Sequence, residues 1–415
     1  METATAAAAA AGPRRPPDVA TVALLSVDRA LELIRDHAPR IGTSSLPIEY
    51  RLAGRVLAAD VAAAVDLPPF ATSSMDGYAV RAAELGGRPL PIAFRIAAGD
   101  RPGVLPAGSA AGIATGAPLP DGADAIVPIE DAQEREGLVA EPTTPGACIR
   151  RAAEDVAAGQ ALARAGDVLT PALLAAIAAA GAATVEVFDR PRIAVLATGS
   201  ELVAPGRPLA PGQIYESNAV AIAAQAVRAG AEVATAAMVI DDRRATEEAF
   251  AAAIAEADVV VSSGGVSVGP HDHVKPALDA LGVREVFWRI AHKPGKPLWF
   301  GVAGDGTPVF GLPGNPVSSL VCFELFVRAA VDAMQGVPPR QRPRARLATP
   351  VRRLATRDHA VRCRLVPAAA GMELHAQDAQ ESHLIVHAAA ADAIALIGAG
   401  TGTAEAGDIV EYLPL

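Results

Sequence analysis

The chain of 415 residues contains few cysteines, few aromatic residues and no excess of positive charge. Its three cysteines, Cys148, Cys322 and Cys363, lie far apart in the sequence and form no CxxC pair. An odd number of cysteines at such spacings argues against a disulfide framework and against a structural zinc site. We therefore expect buried, reduced thiols at all of these positions.

Charge and hydropathy argue against two further classes of partner. The chain has 46 acidic and 36 basic residues, a net charge of -10, and no basic stripe interleaved with aromatic residues, so we expect no nucleic-acid partner. No run of about 18 strongly apolar residues occurs, so we expect no membrane span. The N-terminal alanine run precedes the arginines, unlike a targeting signal, so we interpret residues 1–20 as a disordered tail and the protein as cytoplasmic.

The sequence pattern predicts a multidomain protein of α/β and β class. Its length alone suggests roughly three or four domains. Apolar residues at helical spacing after Ser26 predict a helix to about His37, and a second helix that begins at Pro171 could pair with it. Short apolar runs cut by proline and glycine, from Ile48 to about Arg150, indicate a β-rich domain.

Strands that alternate with helices after Pro191 indicate a doubly wound parallel sheet. Short alternating runs near the C-terminus indicate a small all-β domain. The predicted domains are a discontinuous helical N-terminal domain at 21–50 and 160–190, a β-rich domain at 51–159, a doubly wound α/β domain at 191–336, and a small β-barrel-like domain at 340–415.

Acidic residues follow three of the predicted parallel strands, at Glu201, Asp241 and Asp272. Ligands of such sheets bind beyond the carboxyl ends of the strands. Each acid alone is typical of a helix start, and the glycines Gly264 and Gly265 alone are typical of a tight turn. Together they favour a divalent cation held between carboxylates and a phosphate group.

A second group of polar residues lies in HKPGKP and GLPGNPVSS. Lys293 and Lys296 flank a Pro-Gly turn that would direct both ammonium groups at one anion. Ser318 and Ser319 begin a predicted helix, whose N-terminus attracts anions. The alternatives, two exposed surface lysines and two capping serines, stay open.

Motifs of several other enzyme classes are missing. The chain has no GxxxxGK[ST] loop of P-loop NTPases and no GxSxG nucleophile elbow. His271 and His273 flank an aspartate, but without a third ligand we expect neither to bind zinc. In the β-rich region, Asp76 taken alone suggests a hairpin turn and Asp155 a solvated loop acid.

Nine motifs follow one another from about residue 20 to the end. They are SSMDGYAV (73–80), AGD (98–100), TGAPLPDGADAIVPIE (115–130), EDVAAG (154–159), TGSEL (198–202), GQIYESN (212–218), SGGVSVGPHD (263–272), KPGKP (293–297) and GLPGNPVSS (311–319). This series resembles the MoeA and gephyrin E-domain family. SGGVSVG alone also fits pterin adenylyltransferases and competence-damage-type proteins.

The resemblance implies an elongated homodimer of four-domain subunits that inserts molybdate into adenylylated molybdopterin and releases AMP, with Mg²⁺ as cofactor. It also implies a molybdopterin adenylyltransferase upstream and molybdoenzyme-maturation partners downstream. The site would lie between the doubly wound domain of one subunit and the β-rich domain of the other.

Carried over by position, the site residues fall into three groups. The magnesium and pterin-adenylate group is Glu201, Asp241, Asp272, Gly264, Gly265 and Ser267. The molybdate group is Lys293, Lys296, Asn315, Ser318 and Ser382. The group from the partner subunit is Asp76, Thr115 and Asp155.

One stretch departs from the family pattern. A GRxEFxR-like motif is TRDHAVR at 356–362, with His359 and Ala360 in place of Glu and Phe, so Arg362 receives no role in molybdate binding. Two other functions stay open. A scaffold role, which the family also has in animals, would be supported by a long linker and a fused adenylyltransferase domain. Pterin adenylylation would not need the acidic residues of the β-rich domain.

Overall fold

The computed structural model describes residues 24–266, 272–339, 341–369 and 371–415, so the predicted tail at 1–20 lies outside the described residues. The first helix, Val27–Asp36, begins after Ser26, whose hydroxyl accepts a hydrogen bond from the amide of Arg29, as predicted. Its apolar face is buried against the helix Arg328–Met334 and not against the second helix. The apolar face of this helix is therefore part of the core of the doubly wound domain.

The two segments of the predicted N-terminal domain meet through their strands. Thr43–Pro47 pairs antiparallel with Thr184–Phe188, and the helix Pro171–Ala179 begins after the capping hydroxyl of Thr170. This helix and the strands share one apolar core with Leu52 and Leu57. The chain therefore leaves this core and returns to it after the β-rich segment.

Short strands dominate the segment between those two passes, as predicted. A four-stranded sheet has the order Ile92–Ile96, Ala110–Ile113, Gly77–Val80, Ala125–Pro128. The remaining strands are Val61–Ala62, Thr72–Ser73, Ala132–Glu134, Leu138–Ala140, Ile149–Arg150 and Ala161–Ala163, and the 3₁₀ turns are Tyr50–Leu52, Ala82–Glu84 and Ile129–Asp131.

The predicted doubly wound sheet is present and has six strands. Their order is Glu232–Val239, Arg192–Thr198, Val259–Ser263, Pro308–Leu312, Trp299–Val302, Arg284–Trp288. The first three pairings are parallel and the last two antiparallel. Two short strands that follow Arg192–Thr198 in the sequence, Leu202–Val203 and Ile214–Tyr215, form a separate parallel pair.

Helices cover both faces of that sheet. Asn218–Arg228 and the continuous helical run Pro316–Cys322, Phe323–Val327 (π-helical) and Arg328–Met334 pack on one face. Arg243–Glu256 and Val274–Ala280 pack on the other. Alternate residues of the strand Arg192–Thr198 enter the two cores, so the strand is continuously apolar from 193 to 197.

The C-terminal strands form a small closed barrel. Asp358–Ala368 pairs with both Gly371–Ala376 and Ala393–Ile397, and two further strands, Arg344–Leu347 and Ile409–Pro414, complete the ring. The strand His292–Lys293 of the α/β segment pairs parallel with the start of Asp358–Ala368. The remaining elements are Val351–Arg352, Thr403–Ala404 and the helix Ile385–Ala388.

The cysteines match the expected chemistry in part. All three are free thiols, and Cys322 and Cys363 are buried, but Cys148 is partly exposed. Within the described ranges, every helix is too short or too polar to cross a membrane.

Candidate functional site

The register of the parallel strands brings the ends of four strands to one edge of the sheet. Thr198 lies opposite Val239, and Ala197 lies opposite Ser263. Ser263 in turn lies opposite Leu312 on the next strand. The loops that carry the predicted acidic residues and the GLPGNP turn therefore begin side by side.

A cavity of about 370 Å³ lies at this edge, and we call it the carboxylate cavity. Its lining includes Asn218, Glu216 and Tyr215 from the GQIYESN segment, none of which was a predicted site residue. Ser267 lies outside the described residues. The predicted site residues that line this cavity are Glu201, Asp241, Gly264, Gly265 and Asp272.

Asp241 and Asp242 have different structural roles, although they are neighbours. Asp242 caps the helix Arg243–Glu256 by accepting a hydrogen bond from the amide of Ala245 at 2.9 Å. The Asp241 carboxylate accepts from the Ser200 amide at 3.0 Å, and the Ser200 hydroxyl accepts from the Asp241 amide at 3.0 Å. The capping function thus belongs to Asp242, and Asp241 is held in the wall of the cavity.

Gly264 and Gly265 allow the backbone to approach closely at the end of their strand. A Cβ atom on Gly264 would lie 2.7 Å from the carbonyl oxygen of Thr198, and its φ of +93° already disfavours other residues. On Gly265, with φ +64°, a Cβ would lie 2.4 Å from a methyl group of Val274. At these two positions the lining of the cavity is backbone without a side chain, which suits a phosphate group.

The carboxylates supply hard oxygen donors without forming a complete metal site. Across the ranges that the structure describes, no three His, Cys, Asp or Glu side chains are close enough to hold a metal ion together. Mg²⁺ commonly binds through one or two carboxylates and takes its remaining ligands from water and substrate phosphate. The donor set of Glu201, Asp241 and Asp272 fits such an ion when a phosphate is present.

A second cavity, of about 470 Å³, contains the predicted cationic group, and we call it the lysine cavity. Arg357 also lines it and adds a third cation that the sequence interpretation missed, although it belongs to the TRDHAVR stretch. Glu381 is the acidic residue in its lining. The predicted site residues that line this cavity are Lys293, Lys296, Asn315, Ser318 and Ser382.

One turn separates the two cavities. Gly314 and Pro316 line the carboxylate cavity, whereas Pro313 and Asn315 line the lysine cavity. The turn is fixed from the carboxylate side by Asn218, whose amide donates to the Gly314 carbonyl at 2.7 Å. A ligand that spans this turn would contact both cavities.

Hydrogen bonds fix the serines near the turn. The buried Ser319 hydroxyl donates to the Pro313 carbonyl and lies 3.1 Å from the Ser263 hydroxyl, so Ser319 supports the turn and lines neither cavity. The Asn315 amide donates to the Ser382 hydroxyl at 2.9 Å, and the Val317 amide donates to the Ser382 carbonyl at 3.1 Å. The C-terminal domain thereby contributes to the lysine cavity.

Arg362 supports the loop that carries Ser382. Its side chain is buried, and its guanidinium donates to the carbonyls of Ala379 and Glu381. The Gln380 side chain completes the contact, because it accepts from the Arg362 amide at 3.0 Å and donates to the Arg362 carbonyl at 2.9 Å. Arg362 lines neither cavity, and it acts on the site through this loop.

Two histidines beside the lysine cavity are uncharged at neutral pH. Burial lowers the pKa of His292 to about 4. The pKa of His359 is also about 4, because burial and then the nearby charge of Lys293 disfavour its protonated form. Neither of these two imidazoles therefore adds positive charge to that of Lys293, Lys296 and Arg357.

Asp76, Thr115 and Asp155 line neither cavity of their own chain. The amide and the hydroxyl of Thr115 both donate to one oxygen of Asp76, at 2.7 and 2.9 Å, and these bonds hold the pKa of Asp76 below its usual value. Asp155 is exposed, and its amide donates to the Leu67 carbonyl at 2.9 Å. Asp76 and Asp155 are therefore exposed acids on the β-rich segment.

Family models match most of the chain. The MoeA N-terminal region (domain I and II) matches residues 25–181, the probable molybdopterin binding domain matches 194–333, and the MoeA C-terminal region (domain IV) matches 344–415.

Similar proteins and structures cover long parts of the chain. Molybdopterin molybdenumtransferase 2 of Mycobacterium tuberculosis is 43% identical over 70% of this chain and 75% of its own. Molybdopterin molybdenumtransferase of Haemophilus influenzae is 36% identical over 77% and 80%. A crystal structure of a molybdopterin biosynthesis MoeA protein from Pyrococcus horikoshii has a TM-score of 0.77 at 31% identity and covers 94% of this chain and 99% of that chain.

We predict that Arg362→Met loosens the loop that carries Ser382. Two hydrogen bonds from a charged donor are lost, so amides in 377–384 should exchange hydrogen at least about tenfold faster. Mass-spectrometric hydrogen exchange measures this. Arg364→Met is the control, because Arg364 lies on the same strand but is exposed and pairs with Asp392 outside the site. Equal exchange in both variants would contradict the supporting role.

Proposed function

The chain belongs to the MoeA family, and on that premise we propose that it transfers molybdenum from molybdate to adenylylated molybdopterin with release of AMP. The observation that supports this most directly is the pair of cavities divided by the turn at 313–316. One cavity offers carboxylates and bare backbone, and the other offers three cations. Two different anionic substrates can therefore be held on either side of one thin wall.

The carboxylate cavity is suited to the adenylylated pterin. The backbone at Gly264 and Gly265 can approach phosphate oxygens, but the carboxylates would repel a phosphate on their own. In this proposal Glu201, Asp241 and Asp272 hold Mg²⁺, which neutralises phosphate charge when bound. The three acids thus favour the substrate only in the presence of a cation.

The lysine cavity is suited to molybdate. Molybdate is a tetrahedral dianion that only accepts hydrogen bonds, and Lys293, Lys296 and Arg357 supply charged donors. The Ser382 hydroxyl already accepts from Asn315, so its own proton is directed to another acceptor, and Ser318 adds a second hydroxyl. Screening of both anions lets the pterin sulfurs approach molybdenum across the turn.

AMP release tests the function directly. Purified protein incubated with adenylylated molybdopterin, molybdate and Mg²⁺ should release AMP, and release should require molybdate. A pterin adenylyltransferase would instead consume ATP with unmodified molybdopterin, and a scaffold would do neither.

We also propose the domain boundaries, the cytoplasmic location and the pathway partners stated above. A molybdopterin adenylyltransferase would supply the substrate and molybdoenzyme-maturation partners would receive the product. Separate apolar cores support the β-rich and C-terminal domains of this proposal. The helix Val27–Asp36 instead packs in the α/β core, and Leu52 and Leu57 pack with the second N-terminal segment.

The proposed site is shared between two subunits of a homodimer. Asp76, Thr115 and Asp155 line neither cavity of their own chain, which supports a contribution to the partner's site.

Coexpression of Asp76→Asn and Asp241→Asn chains should restore about a quarter of the parent activity at a Mg²⁺ concentration that supports the parent but neither variant alone, because each mixed dimer keeps one intact site. Two different affinity tags isolate the mixed dimers. Isolated mixed dimers without activity would place Asp76 in its own chain's site or outside any site.

Lys293→Ala and Lys296→Ala should each raise the KM for molybdate by about ten- to a hundredfold, because each removes a charged hydrogen-bond donor. The KM for the pterin substrate should change little, and high molybdate should partly restore the rate. Lys275→Ala is the control, since Lys275 pairs with Glu285 outside both cavities. Lysine variants that molybdate does not rescue would point to another role.

Asp241→Asn and Asp272→Asn should each raise the Mg²⁺ concentration needed for half-maximal AMP release, because hard cations depend on carboxylate charge. Thermal unfolding without Mg²⁺ should occur no earlier than in the parent, since a neutral isostere relieves repulsion between like charges. Asp242→Asn is the matched control, because asparagine also caps helices. An unchanged Mg²⁺ requirement in both site variants would remove the metal assignment.

A further inference from the structure

The lysine cavity rests on a buried histidine that the proposed function does not use. His292 precedes Lys293 in the short strand His292–Lys293, and side chains of neighbouring strand residues point to opposite faces. Lys293 is accordingly exposed, whereas only 1% of His292 is accessible. The imidazole therefore lies beneath the turn that carries both lysines.

The imidazole is fixed by a hydrogen bond within that turn. His292 Nδ1 lies 2.6 Å from the carbonyl oxygen of Pro294, and a carbonyl can only accept, so Nδ1 carries the proton. The ring also meets Phe326 edge to face, with centroids 6.1 Å apart. Burial keeps the pKa of His292 near 4, so at neutral pH the ring supplies this donor without adding a positive charge.

The turn between the two lysines packs tightly against the buried helix residue Cys322. A Cβ atom on Gly295 would lie 2.3 Å from the Cys322 sulfur and 3.8 Å from His292 Nδ1. The backbone of the turn therefore packs closely on the Cys322 sulfur, and only glycine fits at this position. The amides of Ile290 and Leu298 hold the carbonyls of Lys296 and Gly295, and His292 holds the carbonyl of Pro294.

We infer that His292 is a positioning residue for oxyanion binding: its Nδ1–H to Pro294 hydrogen bond sets the separation and direction of the Lys293 and Lys296 ammonium groups. This inference rests on the proposed function, in which those lysines bind molybdate. Two ammonium groups bind one anion less tightly when the distance between them fluctuates, because binding must then also pay the entropy of ordering both side chains. The pterin substrate binds on the other side of the turn and is not affected.

Three variants separate the hydrogen bond from packing. His292→Met keeps the buried volume without a donor, His292→Asn places its amide nitrogen at the position of Nδ1, and His292→Gln places it one bond farther away. We expect His292→Met and His292→Gln to weaken molybdate binding about three- to tenfold, the effect of one hydrogen bond, and His292→Asn to stay within about twofold of the parent.

The measurements are the molybdate Kd by calorimetry without pterin, the KM for each substrate, kcat, and the unfolding temperature. A purely structural role would lower stability and change kcat and both KM values together, and this pattern would overturn the inference. His37→Met is the control, since His37 Nδ1 lies 2.8 Å from the Leu33 carbonyl outside the site. We expect this variant to bind molybdate as the parent does.

The outcomes distinguish this inference from the proposed function. A parent protein that binds molybdate and releases AMP, with His292→Met binding molybdate equally well, overturns the inference alone. His292→Asn as weak as His292→Met also overturns it. A parent that neither binds molybdate nor releases AMP overturns both.

Discussion

The in-register parallel pairing of Arg192–Thr198, Val259–Ser263 and Pro308–Leu312 is the constraint on which both cavities depend. Backbone hydrogen bonds fix the heights of these strands, so their loops must begin at one edge. A one-residue shift in register would turn each buried face towards the wrong helix layer. The same pairing places the turn at 313–316 beside the Gly264 backbone, where it divides the edge into two compartments.

The lysine cavity also depends on how the C-terminal barrel is attached. The strand His292–Lys293 joins the barrel strand Asp358–Ala368, so the lysine turn and Arg357 are held by one set of backbone hydrogen bonds. The loop that carries Ser382 is held separately, by the buried Arg362. Strand pairing and one arginine therefore bring groups from distant parts of the sequence around the lysine cavity.

Local charge in the site opposes the net charge of the chain. The protein carries -10, yet three cations line the lysine cavity with Glu381 as their acidic neighbour. The buried His292 contributes a hydrogen-bond donor without charge, because desolvation disfavours its protonated form. The positive charge of the lysine cavity near neutral pH therefore does not come from His292.

Sequence patterns were sufficient to predict the doubly wound sheet and the capped helix after Ser26, because strand periodicity and capping chemistry are local. They also predicted that the acids and the lysines form two groups. Local sequence did not distinguish Asp241 from Asp242, since both follow the same strand and only the backbone path shows which one caps the helix. It also missed Arg357, and it could not show that Arg362 holds a loop, since both roles arise from strand pairing and long-range packing. The sequence by itself therefore determined the elements and the chemistry available. Tertiary structure alone decided which groups meet, because contacts between distant segments depend on how the buried apolar faces pack.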